Sequence, residues 1–342
     1  MPDYFVCFSD DYSAYLEVSR ACRRCLRAAL KAASNESART KIFLFAALFS
    51  ILVLFDALPA ARAESNASAT APGDTQTQQR PRVYLFRGFA GMVFSQGTDR
   101  LAERIERAGF SATVNEAVVC PIIAKKAVRD YHAKPAPIVA IGHSVGAACA
   151  LSLAATLSGD NIPVSLVVTT DPARITGDVP LNVERYINIF QSNSILGGGD
   201  VKPAKGFRGN YASFDLAEHD EITHVNMEKD ETIQQQVVTK IQQLGMMPVK
   251  TEGETIPIRF VVPADAKLDL WDSGMPVFAH VGDSLQTLAS LYHVPLWSLT
   301  QINPALNAGP LTPGLRIIVP RHLLPPGAAN HIRSPDEVPT AR

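Results

Sequence analysis

Five residues, Gly142-His143-Ser144-Val145-Gly146, constrain this chain more than any other stretch of it. They lie between an apolar run, Pro137 to Ile141, and an Ala/Leu-rich stretch with helical spacing (Ala147, Ala148, Leu151, Leu153, Ala154, Leu157). The run before them is short, β-branched and flanked by Pro135 and Pro137, the pattern of a buried strand, while small residues early in the following helix permit close packing on a sheet. A serine on a sharp strand-to-helix turn is held in a strained backbone conformation, and its hydroxyl stands clear of the sheet edge only where its neighbours are small. Gly142 and Gly146 supply that room. The start of the helix aims backbone N–H groups at the space above the hydroxyl, which makes the Val145 amide a ready donor to a developing oxyanion. The same pentapeptide arises by chance as a Gly-rich turn with an inert serine, so its flanks carry the argument.

A length of 342 residues is enough for two domains, and 46% hydrophobic content is enough for real cores. A formal net charge of -1 leaves no basic excess to neutralise phosphates, which argues against nucleic acid as a partner. Ile42 to Phe55 is almost purely apolar, follows Arg39 and Lys41, and leads into Leu58-Pro59-Ala60-Ala61-Arg62-Ala63. That pattern predicts an export signal cleaved before Glu64: the run is short for a bilayer span, and Asp56 interrupts its extension. An uncleaved membrane anchor is the alternative, and in both cases the rest of the chain leaves the cytoplasm to become periplasmic or secreted. The first forty residues, long and mixed in charge, read as an over-extended start. Cys22 and Cys25 have C-x-x-C spacing without a second ligand pair, so no metal site is expected. After cleavage only Cys120 and Cys149 would remain, either as a disulfide or as two buried thiols.

Residues 64–80, rich in Ala, Ser, Thr and Gln, read as a flexible linker. From Val83 onward strand and helix patterns alternate through residues 81–248, ending in an amphipathic helix from Asp230 to Leu244. Such alternation predicts an α/β domain, a mostly parallel sheet with helices on both faces. Residues 249–275 are Pro-rich and aperiodic and read as an interdomain connection, apart from a short strand at Ile258 to Val262 that could dock on the first domain. Residues 276–320 form a second small domain, and the Pro-rich tail 321–342 reads as unstructured.

A serine hydroxyl is a poor nucleophile until a histidine takes its proton, and that histidine needs a carboxylate to fix its tautomer. The elbow resembles that of α/β-hydrolases, and the order serine, acid, histidine that this resemblance implies guides the choice of partners. Asp171, in Thr170-Asp171-Pro172 just after the strand that follows the elbow strand, is the first choice for the acid. Asp200 in Gly197-Gly198-Gly199-Asp200 competes with it. His224, after the last strand and before the last helix, is the expected base. His219 sits in a polar cluster with Glu218, Asp220 and Glu221 and reads as a solvated loop residue, and His143 reads as facing away from the nucleophile. A second oxyanion donor is expected in the loop after the first strand, Arg87-Gly88-Phe89-Ala90-Gly91, where Gly88 lets the backbone turn inward and the Phe89 amide donates.

On these residues Val83 to Leu244 resembles a compact α/β-hydrolase of the lipase, esterase and thioesterase group. The match covers about half the chain and departs from the lipase pattern at Arg87, where histidine is usual. The resemblance implies a serine hydrolase that needs no cofactor and acts on an ester or thioester. The longest strand-free stretch, Pro172 to Arg185, leaves room for a short cap only, which suits a short acyl chain or an exposed ester.

The second domain shows Val281-Gly282-Asp283-Ser284-Leu285, then Leu288, Ala289 and Tyr292, then Val294-Pro295 and Leu299, then Ile302-Asn303-Pro304, and finally Leu311, Gly314, Leu315, Ile317 and Val319-Pro320. Asp283 or Ser284 caps a first helix, Pro295 starts a second, and Asn303-Pro304 ends it. Val277 to Pro320 thereby resembles a lysin-motif (LysM) domain, a small βααβ module. The resemblance implies binding of an N-acetylglucosamine glycan, peptidoglycan or chitin, by the loop Gly282, Asp283, Ser284 and Leu285 and the loop Asn307 to Leu311. One weak module would raise local concentration at a cell wall by tethering. The combined expectation is an exported serine hydrolase held on cell-wall glycan, with membrane contact only if the signal is retained. Its rival is an inactive hydrolase-fold envelope protein that binds peptidoglycan. A third reading, an amidase cutting wall peptides, fits the address but has no motif of its own.

Overall fold

The computed structural model describes residues 80–88, 96–244, 254–307 and 309–322. The expected signal, the linker up to residue 79, the Phe89 amide and the tail from residue 323 therefore lie outside the described residues. Among the described residues, no helix is long and apolar enough to cross a membrane.

The elements run β1 (Arg82–Phe86), α1 (Gln96–Arg107), β2 (Ser111–Asn115), α2 (Cys120–Ala133), β3 (Ile138–His143), α3 (Val145–Gly159), β4 (Leu166–Thr170), β5 (Arg185–Phe190), β6 (Asn210–Asp215), α4 (Glu231–Leu244) and β7 (Ile258–Val261). All seven strands are parallel, in the order β2-β1-β3-β4-β5-β6-β7. The period-two alternation of the strands divides the core. Val83, Leu85, Val139 and Ile141 face α1 and α4, packing on Leu101, Ile105, Ile233 and Val237. Tyr84, Phe86, Ile138 and Ala140 face α2 and α3, packing on Ala124, Ala127, Leu153 and Leu157. A strand with both sides covered must be apolar throughout, which is why β3 is buried at every position. On the second face a disulfide joins Cys120, at the start of α2, to Cys149 on α3, with Cα atoms 5.5 Å apart.

Within the stretch read as an interdomain connection, Ile258 to Trp271 pack in the same core as the sheet. β7 is the seventh strand of the sheet, in register with β6 from Ala212↔Ile258 to Asp215↔Val261. Leu268, Leu270 and Trp271 behind it are buried in the same cluster as the first face of the sheet. The remaining elements, β8 (Ser273–Phe278), α5 (Leu285–Tyr292), α6 (Leu296–Ile302) and β9 (Arg316–Arg321), make a βααβ unit in which β8 and β9 pair antiparallel. A bare edge strand is a template for unwanted pairing. Here Gln301 of α6 acts as a false strand: its Oε1 accepts from the Val261 amide at 3.1 Å and its Nε2 donates to the Val261 carbonyl at 2.7 Å. The buried Asp272 carboxylate adds a polar link, taking a forked pair from Arg321 (3.0 and 2.8 Å) and a bond from Asn210 of β6 at 2.7 Å. Local sequence hid this because the segment lacks helical period, and its burial depends on a surface made by residues about fifty positions away.

Candidate active site

β3 delivers Ser144 at its C-terminal end, and α3 begins at the next residue. Ser144 has φ 55° and ψ -120°, outside the regions where side-chain-bearing residues are comfortable. The glycines on either side are obligatory. A Cβ on Gly142 would strike the Gly146 carbonyl, and a Cβ on Gly146 would strike the carbonyls of Phe86 and Arg87 at the end of β1. That close approach lets α3 lie against β1 and sets the turn. Strain of this kind persists only where the surroundings over-determine it, and Asp171, at φ 39°, is a second such position.

Asp171 follows β4 directly and is fully buried. Its Oδ2 is 2.6 Å from His224 Nδ1 and accepts from the Ser194 hydroxyl at 3.0 Å. Its Oδ1 accepts from the backbone amides of Gln191 (3.1 Å) and Gly198 (2.9 Å). Burial by itself would raise this carboxyl; the bonds from His224, Gln191, Gly198 and Ser194 outweigh it and hold the group below the usual carboxylate range. An acceptor facing Nδ1 favours the His224 tautomer with its proton on that nitrogen, which leaves a lone pair on Nε2. Asp200, the competitor, lies elsewhere: it pairs with Arg259 of β7 and takes a long bond from Ser213 of β6. Chain order alone left both open, and the side-chain contacts choose Asp171 as the partner of His224.

The Asp171–His224 bond is made, whereas neither Ser144 Oγ nor His224 Nε2 has a hydrogen bond among the described residues. Catalytic bonds of this kind are often long until substrate binds. Gly88 brings the β1 loop to the elbow, since a Cβ there would lie 3.4 Å from Ser144 Cβ. Val145 is the first residue of α3, so its N–H has no partner within the helix. Arg87, where the lipase pattern has histidine, bridges Asp99 of α1 and Glu116 after β2, tying down the start of the loop.

Two histidines differ from expectation. His219 is buried rather than solvated, with Nδ1 3.0 Å from Glu221 Oε1. The physical reason is Gln191, whose side-chain amide reaches the carbonyls of Leu216, His219 and Ile222 and draws that loop onto the end of β5. The same bonds place His224, so Gln191 is a supporting residue that sequence reasoning missed: a glutamine at a strand end looks like any surface polar residue. His143 does not face away from the site. Its ring centroid is 4.8 Å from that of His224.

Burial, and next the proximity of His224, lower His143 to about 4. The folded protein therefore keeps this ring neutral down to about pH 4, while the unfolded chain takes the proton near 6.5. Stability is complete above that unfolded value and is lost as pH falls toward the folded one. Urea midpoints measured from pH 7 to 4 are expected to show a loss of roughly 3 kcal/mol from this group, absent in His143→Phe.

In the βααβ unit, Ser284 rather than Asp283 caps α5, in a reciprocal capping box with Thr287. Asp283 Oδ2 instead accepts from the His280 amide at 2.7 Å and closes the turn in which Gly282 has φ +85°. Gly282 and Asn307 are exposed, and Asp283 and Ser284 are half-buried. The Leu285 and Leu311 side chains are only 2% and 7% exposed and belong to the core, so these two positions offer a ligand mainly their backbone. Their apolar chemistry packs this small unit, and Leu311 joins the two loops through its backbone, donating to the Asp283 carbonyl at 2.8 Å.

No protein-family model matches the chain, and no curated protein matches it. Among solved structures, a protein from Xanthomonas campestris pv. campestris assigned to the alpha/beta superfamily of hydrolases aligns at 18% identity and TM-score 0.27, over 36% of this chain and 76% of its own. RedJ-thioesterase of the prodiginine biosynthetic pathway in Streptomyces coelicolor aligns at 17% identity and TM-score 0.20, over 34% of this chain and 51% of its own. The chain thus spans about half the length of that thioesterase. The fold itself is a seven-stranded parallel sheet, covered by helices on both faces and carrying Ser144 at a strand-to-helix turn.

Proposed function

We propose that the chain is an exported serine hydrolase that cleaves a carboxylic ester or thioester through an acyl-enzyme and is tethered to cell-wall glycan by its LysM-like unit. The observation that carries the catalytic half is the 2.6 Å contact between His224 and the fully buried Asp171, beside a serine in a strained elbow. In this reading Ser144 Oγ attacks the carbonyl carbon while His224 Nε2 takes the hydroxyl proton. Asp171 steadies the resulting imidazolium, and the amides of Val145 and Phe89 hold the oxyanion. Collapse expels the alcohol or thiol, which receives the proton from His224, and a water activated by the same ring then releases the acid. No metal or organic cofactor enters these steps. The glycan half rests on the sequence pattern of residues 277–320 and on a βααβ unit whose Gly282 and Asn307 are open to solvent.

A second reading, an envelope protein that binds peptidoglycan with an idle hydrolase fold, is favoured by one observation: the Ser144 hydroxyl is not hydrogen-bonded to His224. Fluorophosphonate labelling and turnover of short p-nitrophenyl esters, alongside co-sedimentation with purified peptidoglycan, separate the two. Labelling with turnover supports the enzyme. Sedimentation without labelling supports the rival, and failure to sediment removes the tether from both.

A further inference from the structure

We propose that His143 is a positioning residue whose imidazole joins the nucleophile, the acid strand and the base into one unit; this rests on the reading of Ser144, His224 and Asp171 as the catalytic set. The argument is one of contacts. His143 directly precedes Ser144, ends β3 and is buried. Its Nδ1 lies 3.0 Å from the Thr170 carbonyl, an acceptor only, so that nitrogen carries the proton. The same carbonyl accepts the backbone N–H of Ser144 at 3.0 Å, and Thr170 is the residue before Asp171. One oxygen next to the acid therefore holds both the elbow serine and its neighbour's ring.

The ring's other contacts complete the set. It lies against His224 with an interplanar angle of 40°, and a Cβ on Gly88 would come within 3.0 Å of its Cδ2. His224 is fixed through one nitrogen only, by a single bond to Asp171 about which the imidazole can swing. A neighbouring ring 4.8 Å away and tilted against it limits that swing. A displacement of the base by about 1 Å is enough to cost on the order of 100-fold in rate.

The test compares H143A with H143F in the full chain, each normalised to folded protein from its urea curve. For H143A, kcat and the fluorophosphonate labelling rate are expected to fall about 10- to 100-fold with KM unchanged. H143F, which restores a ring face without the Nδ1 donor, is expected to recover most of that loss even if its Tm stays low. A space-filling role alone would lower Tm in H143A, restore it in H143F and leave kcat per folded molecule intact in both, which would overturn the proposal, as would a loss in H143A that H143F does not rescue. The proton NMR line of the His224 Nδ1–H on Asp171 gives a readout independent of turnover: sharp in the parent, broadened in H143A and sharp again in H143F. If the parent is never labelled, the hydrolase reading fails, and this NMR pattern still decides whether His143 positions His224.

Discussion

Ser144→Ala is expected to abolish fluorophosphonate labelling and to reduce ester turnover by about 10^4- to 10^6-fold, roughly 5 to 8 kcal/mol of transition-state stabilisation. The size follows from the proposed mechanism, in which without the hydroxyl no acyl-enzyme forms and only the oxyanion donors and substrate binding remain to accelerate direct attack by water. The fold should survive, because Gly142 and Gly146 make the room for the turn and Ala adds no atom at position 144. Asp171→Asn belongs to the same test. Its side chain would still face the Gln191 and Gly198 amides but could no longer hold His224 as a charged partner, and a loss near 10^4 in kcat is expected. Asp200→Asn, in a residue paired with Arg259 rather than with His224, should leave turnover within about threefold. Undiminished activity in the Ser144 variant, or a larger loss from Asp200 than from Asp171, would overturn the assignment.

Trp271→Ala carries the largest expected effect on stability. Trp271 is fully buried and packs on Phe214 of β6, Phe260 of β7 and Trp297 of α6, with ring centroids 5.9, 5.1 and 5.8 Å away. It thus belongs at once to the parallel sheet and to the βααβ unit. Emptying that position should cost about 3 to 5 kcal/mol by lost burial and the cavity left behind. Because one cluster spans both parts, the urea transition is expected to remain single and to shift as a whole, with tryptophan fluorescence and far-ultraviolet circular dichroism moving together. Two separated transitions would show instead that the C-terminal unit is an independent appendage. The distinction matters for function: a unit fused to the sheet holds any glycan-binding surface at a fixed distance from Ser144, whereas a flexibly tethered one would let the site roam.

Much of the architecture was legible because it is local. The apolar run before Gly142, the small residues after it and the alternation of strand and helix patterns arise from backbone sterics and burial period, and both leave marks within a dozen residues. The elbow is the strongest case: only glycine fits at positions 142 and 146, so the turn is written into the residues that form it. The chain order implied by the family resemblance narrowed the proposed base to His224 and the proposed acid to Asp171 or Asp200. Order went no further, since either carboxylate follows a strand and neither sequence context says which way its side chain points.

The same limit applies to the supporting residues. Gln191, Gln301 and His143 are ordinary polar residues in sequence, and each acquires its role from atoms 25 to 40 positions away. Leu285 and Leu311 show the same limit from the other side: their place beside loops does not reveal that so small a unit recruits their side chains to bury enough apolar area. The chain's own residues therefore determined a parallel α/β sheet with a strained serine turn and a βααβ unit after it. Which carboxylate meets the histidine, which ring steadies it, and whether the second unit hangs free or closes the open edge at β7 were decided by tertiary packing, because directional hydrogen bonds and shared burial exist only once distant segments have been brought together.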